Sequence, residues 1–108
     1  MKQLILVILM FLGINLAQAA PLPNYDLTMT DGVFDPPKIE VETGKRFKIS
    51  ITNAGKTSAE FENLSMRIEK VVGPGVKSFV VIHPLKPGSY FFIDEFHPDM
   101  PSFEIISK

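Results

Sequence analysis

The side chains of this chain that are suited to chemistry fall in two groups. One is the run Asp94-Glu95-Phe96-His97-Pro98-Asp99-Met100, and the other is Glu60, Glu62 and Glu69. Carboxylates offer hard oxygen donors to ions such as iron or manganese, imidazole offers nitrogen, and a thioether offers soft sulfur. Asp94, His97 and Met100 stand three residues apart and would supply a partial coordination sphere, completed by Glu95, by a glutamate of the second group or by water. Carboxylates are costly to bury without a partner, so several of them gathered on one rim call for a cation. Each residue also has a plainer reading. Asp94 can end a strand and accept turn hydrogen bonds, His97 can be an ordinary loop histidine, and Met100 can be a packing residue. The three glutamates can form a solvated face paired with Lys56, Arg67 or Lys70. His83, ahead of Pro84, reads as surface.

Other chemistries are closed off by composition. The chain has no cysteine, which excludes thiol catalysis, zinc ribbons, iron–sulfur clusters and disulfide staples. Its formal charge is −1 and it has no basic cluster to track phosphates, so nucleic acid is not an expected partner.

The elements that must position these side chains read as short strands. Tyr25 to Thr30 alternates apolar and polar residues and is followed by the turn Asp31-Gly32. Pro36-Pro37 cannot join a central ladder, so a new strand is expected over Ile39 to Val41, ending at Thr43-Gly44. Arg46 to Thr52 is the clearest strand, with Phe47, Ile49 and Ile51 on one face. A second alternating region spans Ala59 to Val72, with a break of parity near Asn63. Before the break Glu60 and Glu62 share a face opposite Phe61, and after it Leu64, Met66 and Ile68 point one way. Further strands are expected over Val76 to Ile82, Ser89 to Asp94 and Phe103 to Ser107, and Asp94 shares its face with Tyr90 and Phe92. Phe47, Phe61, Phe79, Tyr90 and Phe92 are expected in the core. Seven or eight strands without a useful helix predict an all-β sandwich.

The first nineteen residues stand apart. Lys2 precedes the apolar run Leu4 to Leu12, and Ala17-Gln18-Ala19 has the small-x-small pattern of a cleavage site. This reads as a secretory signal peptide over residues 1–19, with one small domain over 20–108 and a location outside the cytoplasm. A membrane anchor would need about 20 apolar residues, and Gly13 and Asn15 interrupt the run first. Small secreted domains usually carry disulfides, so this one must rely on sheet hydrogen bonds and aromatic packing, with a metal as a further aid.

The stretch from Pro87-Gly88 through Tyr90, Phe92 and Asp94 to His97 and Met100 resembles the copper loop of cupredoxins, Pro-Gly-x-Tyr-x-Phe-x-Cys-x-x-His followed by methionine. Phe34-Asp-Pro36, Ile39 to Gly44 and Ile51-Thr-Asn53 resemble the first half of the same family. The resemblance implies a Greek-key β-sandwich of cupredoxin type. Asp94 stands where that family has its copper-binding cysteine, and Ala59 or a neighbour stands where its first histidine is expected. A blue-copper centre uses two histidines and a cysteine, so no intense blue band is expected, and a carboxylate in place of the thiolate favours iron, manganese or Cu(II).

Glu60-Phe61-Glu62 with Ile68-Glu69-Lys70 and Gly73-Pro74-Gly75 resembles more narrowly the cupredoxin domain of EfeO-type periplasmic iron-uptake proteins and the stand-alone cupredoxins that accompany Ftr-type iron permeases. That resemblance implies a periplasmic protein, monomeric or homodimeric, supporting ferrous or ferric iron uptake. Glu60, Glu62 and Glu69 would hold iron. Asp94 and His97, with Met100 and Glu95, would hold copper or a second iron. The implied partners are an iron permease and a periplasmic iron-binding protein, with the membrane reached only through them. The implied activity is ferrous oxidation, an electron-transfer accessory role or handover. The competing readings are a copper-binding chaperone or resistance protein and a metal-free interaction module. Only three methionines lie beyond residue 19, against the methionine-rich pattern of Cu(I) handling.

Overall fold

The computed structural model describes residues 21–108, and the signal peptide expected over 1–19 lies outside the described residues. Alternation of apolar and polar residues builds nine strands in two sheets. The first sheet has the order β2-β1-β4-β7, from β1 (Asn24–Thr30), β2 (Val33–Asp35), β4 (Phe47–Asn53) and β7 (Lys77–Ile82). The second has the order β3-β9-β8-β5-β6, from β3 (Lys38–Val41), β5 (Ala59–Asn63), β6 (Ile68–Val72), β8 (Gly88–Asp94) and β9 (Phe103–Ser107). The pairs β1/β4 and β3/β9 are parallel and the other ladders antiparallel. The chain passes repeatedly between sheets, and the inner faces close on one core. Among the described residues there is no α-helix, as the sequence predicts for a β-sandwich.

The core follows from strand parity. Leu27, Met29, Ile49 and Ile51 point inward from the first sheet, and Phe61, Phe92, Phe103 and Ile105 from the second. Phe61 and Phe92 stack with ring centroids 4.4 Å apart, and Phe34 and Phe103 pack around them. Phe79, expected inside, is instead exposed on the outer face of edge strand β7, where the Lys48 ammonium lies 5.5 Å from its ring centroid. The error was one of parity. In β7 the buried Ile82 fixes the inner face, and Phe79 is three residues away on the other.

The other differences lie at strand ends. β2 is a three-residue edge strand that alternation is too short to reveal. The region from Ala59 to Val72 is not one extended run but a hairpin. Asn63 caps a 3-10 turn over Leu64–Met66 by accepting from the Met66 N–H, and Arg67 then adopts a left-handed conformation at φ 58°. The break of parity at Asn63 is the sign of this reversal, and the reversal sets Glu69 of β6 directly across from Glu62 of β5.

Candidate metal centre

Strand β5 has β6 on one side and β8 on the other, so its two faces carry different chemistry. The inner face presents Phe61, whose ladder partner on β8 is Asp94. The outer face presents Glu60 and Glu62. Glu62 pairs with Glu69 on β6 and with Ile93 on β8. The three glutamates bring one carboxylate oxygen each to within 4.8 Å of one another. Opposed oxygens around a six- to eight-coordinate ion lie about 4–5 Å apart, given bonds of about 2.0–2.6 Å, so the spacing suits a single hard cation.

Among the described residues none of the three carboxylates takes part in an ion pair, and the lysine bridges join Glu42 to Lys45 and Glu40 to Lys108 instead. Glu62 is only 5% exposed, although it lies on an outer face, because neighbours on both flanking strands crowd it. Burial is the leading cause that pushes the Glu62 carboxyl above its ordinary range, followed by the charges of Glu95, Glu60 and Glu69. Glu60 is pushed the same way, by burial first and then by Glu69, Glu95 and Asp94. Glu95 thus belongs electrostatically with the three, and its backbone N–H donates to the Glu60 carbonyl at 3.1 Å. Next to the cluster, Leu64, Phe91 and Ile93 line an open groove of about 490 Å³ that also reaches Glu62.

Asp94 faces away from this cluster, into the end of the sandwich. Its side chain is fully buried. One carboxylate oxygen, Oδ1, accepts from the backbone N–H groups of Glu60 at 3.0 Å and Phe96 at 3.1 Å. The other, Oδ2, lies 2.8 Å from Nδ1 of His97. The second ring nitrogen, Nε2, lies 3.0 Å from the Thr57 hydroxyl, which donates to Asp31 at 2.7 Å. Asp31 also accepts from the Lys56 and Thr57 backbone N–H groups. The Thr57 hydroxyl, followed by the Lys56 N–H, holds the Asp31 carboxyl below its ordinary range. The residue of the β4–β5 loop that meets His97 is therefore Thr57, while Ala59 is buried in the core.

The Met100 side chain takes part in none of these hydrogen bonds, while its backbone N–H donates to the His97 carbonyl at 3.2 Å. Its chain passes over Gly32, and it lines an apolar hollow with Val33, Phe34 and Pro37. Gly32 has φ +92°, and a Cβ there would come within 2.7 Å of Met100 Cγ and 2.8 Å of His97 Cβ. Only glycine lets the β8–β9 loop seat so closely against the β1–β2 turn. His83 is exposed beside Met66 and Leu85, on a different surface. The seven candidate ligands thus fall into an outer cluster of Glu60, Glu62 and Glu69 beside Glu95, an inner pair of Asp94 and His97, and Met100, which meets His97 over Gly32. Thr57 and Asp31 were not legible as site residues, since neither carries a ligand motif. The Asp31-Gly32 turn signal was their only trace.

A family model described as cupredoxin-like domain matches residues 3–106. Uncharacterized protein RP394 of Rickettsia prowazekii (strain Madrid E) is 35% identical over 107 residues, covering 91% of this chain and 86% of that protein. The metal-binding domain of the Cu(I)-exporting P-type ATPase CopA of Streptococcus pneumoniae D39, solved with Cu(I), matches with a TM-score of 0.72 at 14% identity. The match covers 85% of this chain and 91% of that one. Reduced auracyanin of Roseiflexus castenholzii matches with a TM-score of 0.65 at 11% identity, over 82% of this chain and 99% of that one. At such identities the likeness is one of fold.

Proposed function

Because the chain belongs to the cupredoxin-like domain family, we propose that it is an extracytoplasmic metal-binding protein whose cargo is iron, held on Glu60, Glu62 and Glu69 and passed to a membrane permease. The observation that carries this reading is the cluster of three carboxylates within 4.8 Å, one of them nine-tenths buried, none of them in an ion pair among the described residues. Protonation or a bound cation relieves such a cluster, and hard anionic oxygens favour ferric over ferrous iron because the extra charge is worth more to them. The cluster sits on an outer face rather than in a closed cage, which suits an ion that must be given up again. Glu95, at its rim, adds charge that draws a cation in. The expected leader peptide and the narrower sequence resemblance supply the setting of iron uptake.

Calorimetric titration of metal-free protein with Fe(II) under anaerobic conditions tests this directly. One equivalent is expected to bind, and Glu60→Gln with Glu69→Gln is expected to weaken binding at least tenfold. Unchanged binding in the double variant removes the reading.

The fold likeness to a metal-binding domain solved with Cu(I) favours a second reading, that the cargo is copper. A deletion strain separates the two. Impaired growth on limiting ferrous iron supports the iron reading, and sensitivity to excess copper supports the other.

A further inference from the structure

The resemblance to the cupredoxin copper loop puts a metal at Asp94, His97 and Met100, and the donor set there does not fit one. A blue-copper centre takes two histidines, a thiolate and a weak axial ligand. This end of the sandwich has one histidine and no thiolate, and the groups present are already bonded to each other. The Asp94 carboxylate takes two backbone N–H groups and one ring nitrogen. The other ring nitrogen of His97 is taken by Thr57, which Asp31 holds in turn. The Met100 side chain is turned to Gly32 and the apolar hollow.

We propose that Asp31, Thr57, His97 and Asp94 form a metal-independent clasp, joining the β1–β2 turn, the β4–β5 loop and the β8–β9 loop where the family fold would otherwise hold copper. The physical need for such a device is plain. Three loops must be fixed at one end of a small domain without a disulfide, and a metal centre or a charged hydrogen-bond array are alternative ways to do so. Space has been cleared for the array at two glycines. Besides Gly32, a Cβ at Gly55 would lie 2.6 Å from Asp31 Oδ1. The array also pins the backbone of Glu60, whose N–H is one of the two held by Asp94 Oδ1, so it anchors the strand that carries the outer carboxylates.

The test compares chelator-treated wild type with His97→Gln and Thr57→Val. Both variants are expected to lower the melting temperature of the metal-free protein by roughly 2–12 °C, as loss of a solvent-accessible hydrogen bond does in a domain of this size. With one equivalent of Cu(II), the wild-type electron paramagnetic resonance spectrum is expected to show no histidine nitrogen coupling, and His97→Gln to change Cu(II) affinity less than threefold. Nitrogen coupling that disappears in His97→Gln, a tenfold or greater loss of affinity, or unchanged melting temperatures in both variants would overturn the clasp. Should the glutamate reading fail, whether because binding survives loss of the glutamates or because no ion binds, the melting temperatures of the metal-free proteins still decide the clasp.

Discussion

Replacing Asp94 by alanine removes the acceptor shared by three donors, and the cost can be worked out donor by donor. The Glu60 N–H lies within the second sheet, part-buried, and loses its acceptor with Asp94 Oδ1. A buried donor left unpaired costs about 1–3 kcal/mol. The contact to His97 Nδ1 is a hydrogen bond to a charged carboxylate, with a net worth of about 1.5–3 kcal/mol. Phe96 is exposed, so water can take over its N–H and little is lost there. The sum is about 2.5–6 kcal/mol, against a total stability of about 4–13 kcal/mol for a domain of this length. Asp94→Asn keeps an oxygen for the two backbone donors and presents an amide to the ring, so its cost should be only about 1–2 kcal/mol. Urea unfolding of the metal-free proteins, followed by tyrosine fluorescence or circular dichroism, measures both. An alanine cost below about 1 kcal/mol, or an asparagine variant as damaged as the alanine one, would refute the account of Asp94 as the hub of a hydrogen-bonded array.

The remaining predictions concern the outer carboxylates, the core and the hairpin. Glu60 and Glu62 have raised carboxyl pKa values in the folded chain, so the folded state holds more protons than the unfolded state above the ordinary value of 4.5. Stability of the metal-free protein should therefore fall as pH rises from about 4.5 through the raised values, while ion affinity rises over the same window; thermal melts and calorimetry against pH check the two slopes. Glu62→Gln should stabilise the metal-free protein at neutral pH, flatten that slope and weaken ion binding, all three seen in the same melts and titrations. Phe61→Ala removes a fully buried ring stacked on Phe92 and should cost about 3–5 kcal/mol in urea unfolding. Arg67→Gly relieves a left-handed residue at the exposed hairpin turn and should leave stability unchanged or raise it by up to about 1 kcal/mol.

Most of the strands could be read along the chain because their physical cause is local. In β4 every second residue is buried, and the alternation from Phe47 to Ile51 states that directly. β9 falls on Phe103–Ser107 as expected, between a proline and the chain end. Phe79 lies outside because its strand is apolar on both faces, and an edge strand can leave an aromatic ring outside with a lysine ammonium over its face. The hairpin between β5 and β6 was hidden for a related reason. Leu64, Met66 and Ile68 alternate like a strand, but Asn63 and Arg67 together turn the chain back.

The candidate site divides in the same way. Glu60 and Glu62 share a face by parity alone, and the place of Asp94 in the Pro-Gly-x-Tyr-x-Phe pattern was legible from spacing. Glu95 was grouped with Asp94 and His97 because it adjoins them in the chain, whereas in the fold its charge acts on Glu60 and Glu62.

From its sequence alone this protein was determined as a β-sandwich without thiol chemistry, because side-chain period and residue inventory are properties of the chain itself. Only the tertiary structure decided which carboxylates meet. Glu69 comes to Glu62 through a hairpin register, and Asp94 is spent on His97 and two backbone donors, one of them 34 positions away. Hydrogen bonds between loops depend on where strands end in space, and no local pattern in the chain encodes that distance.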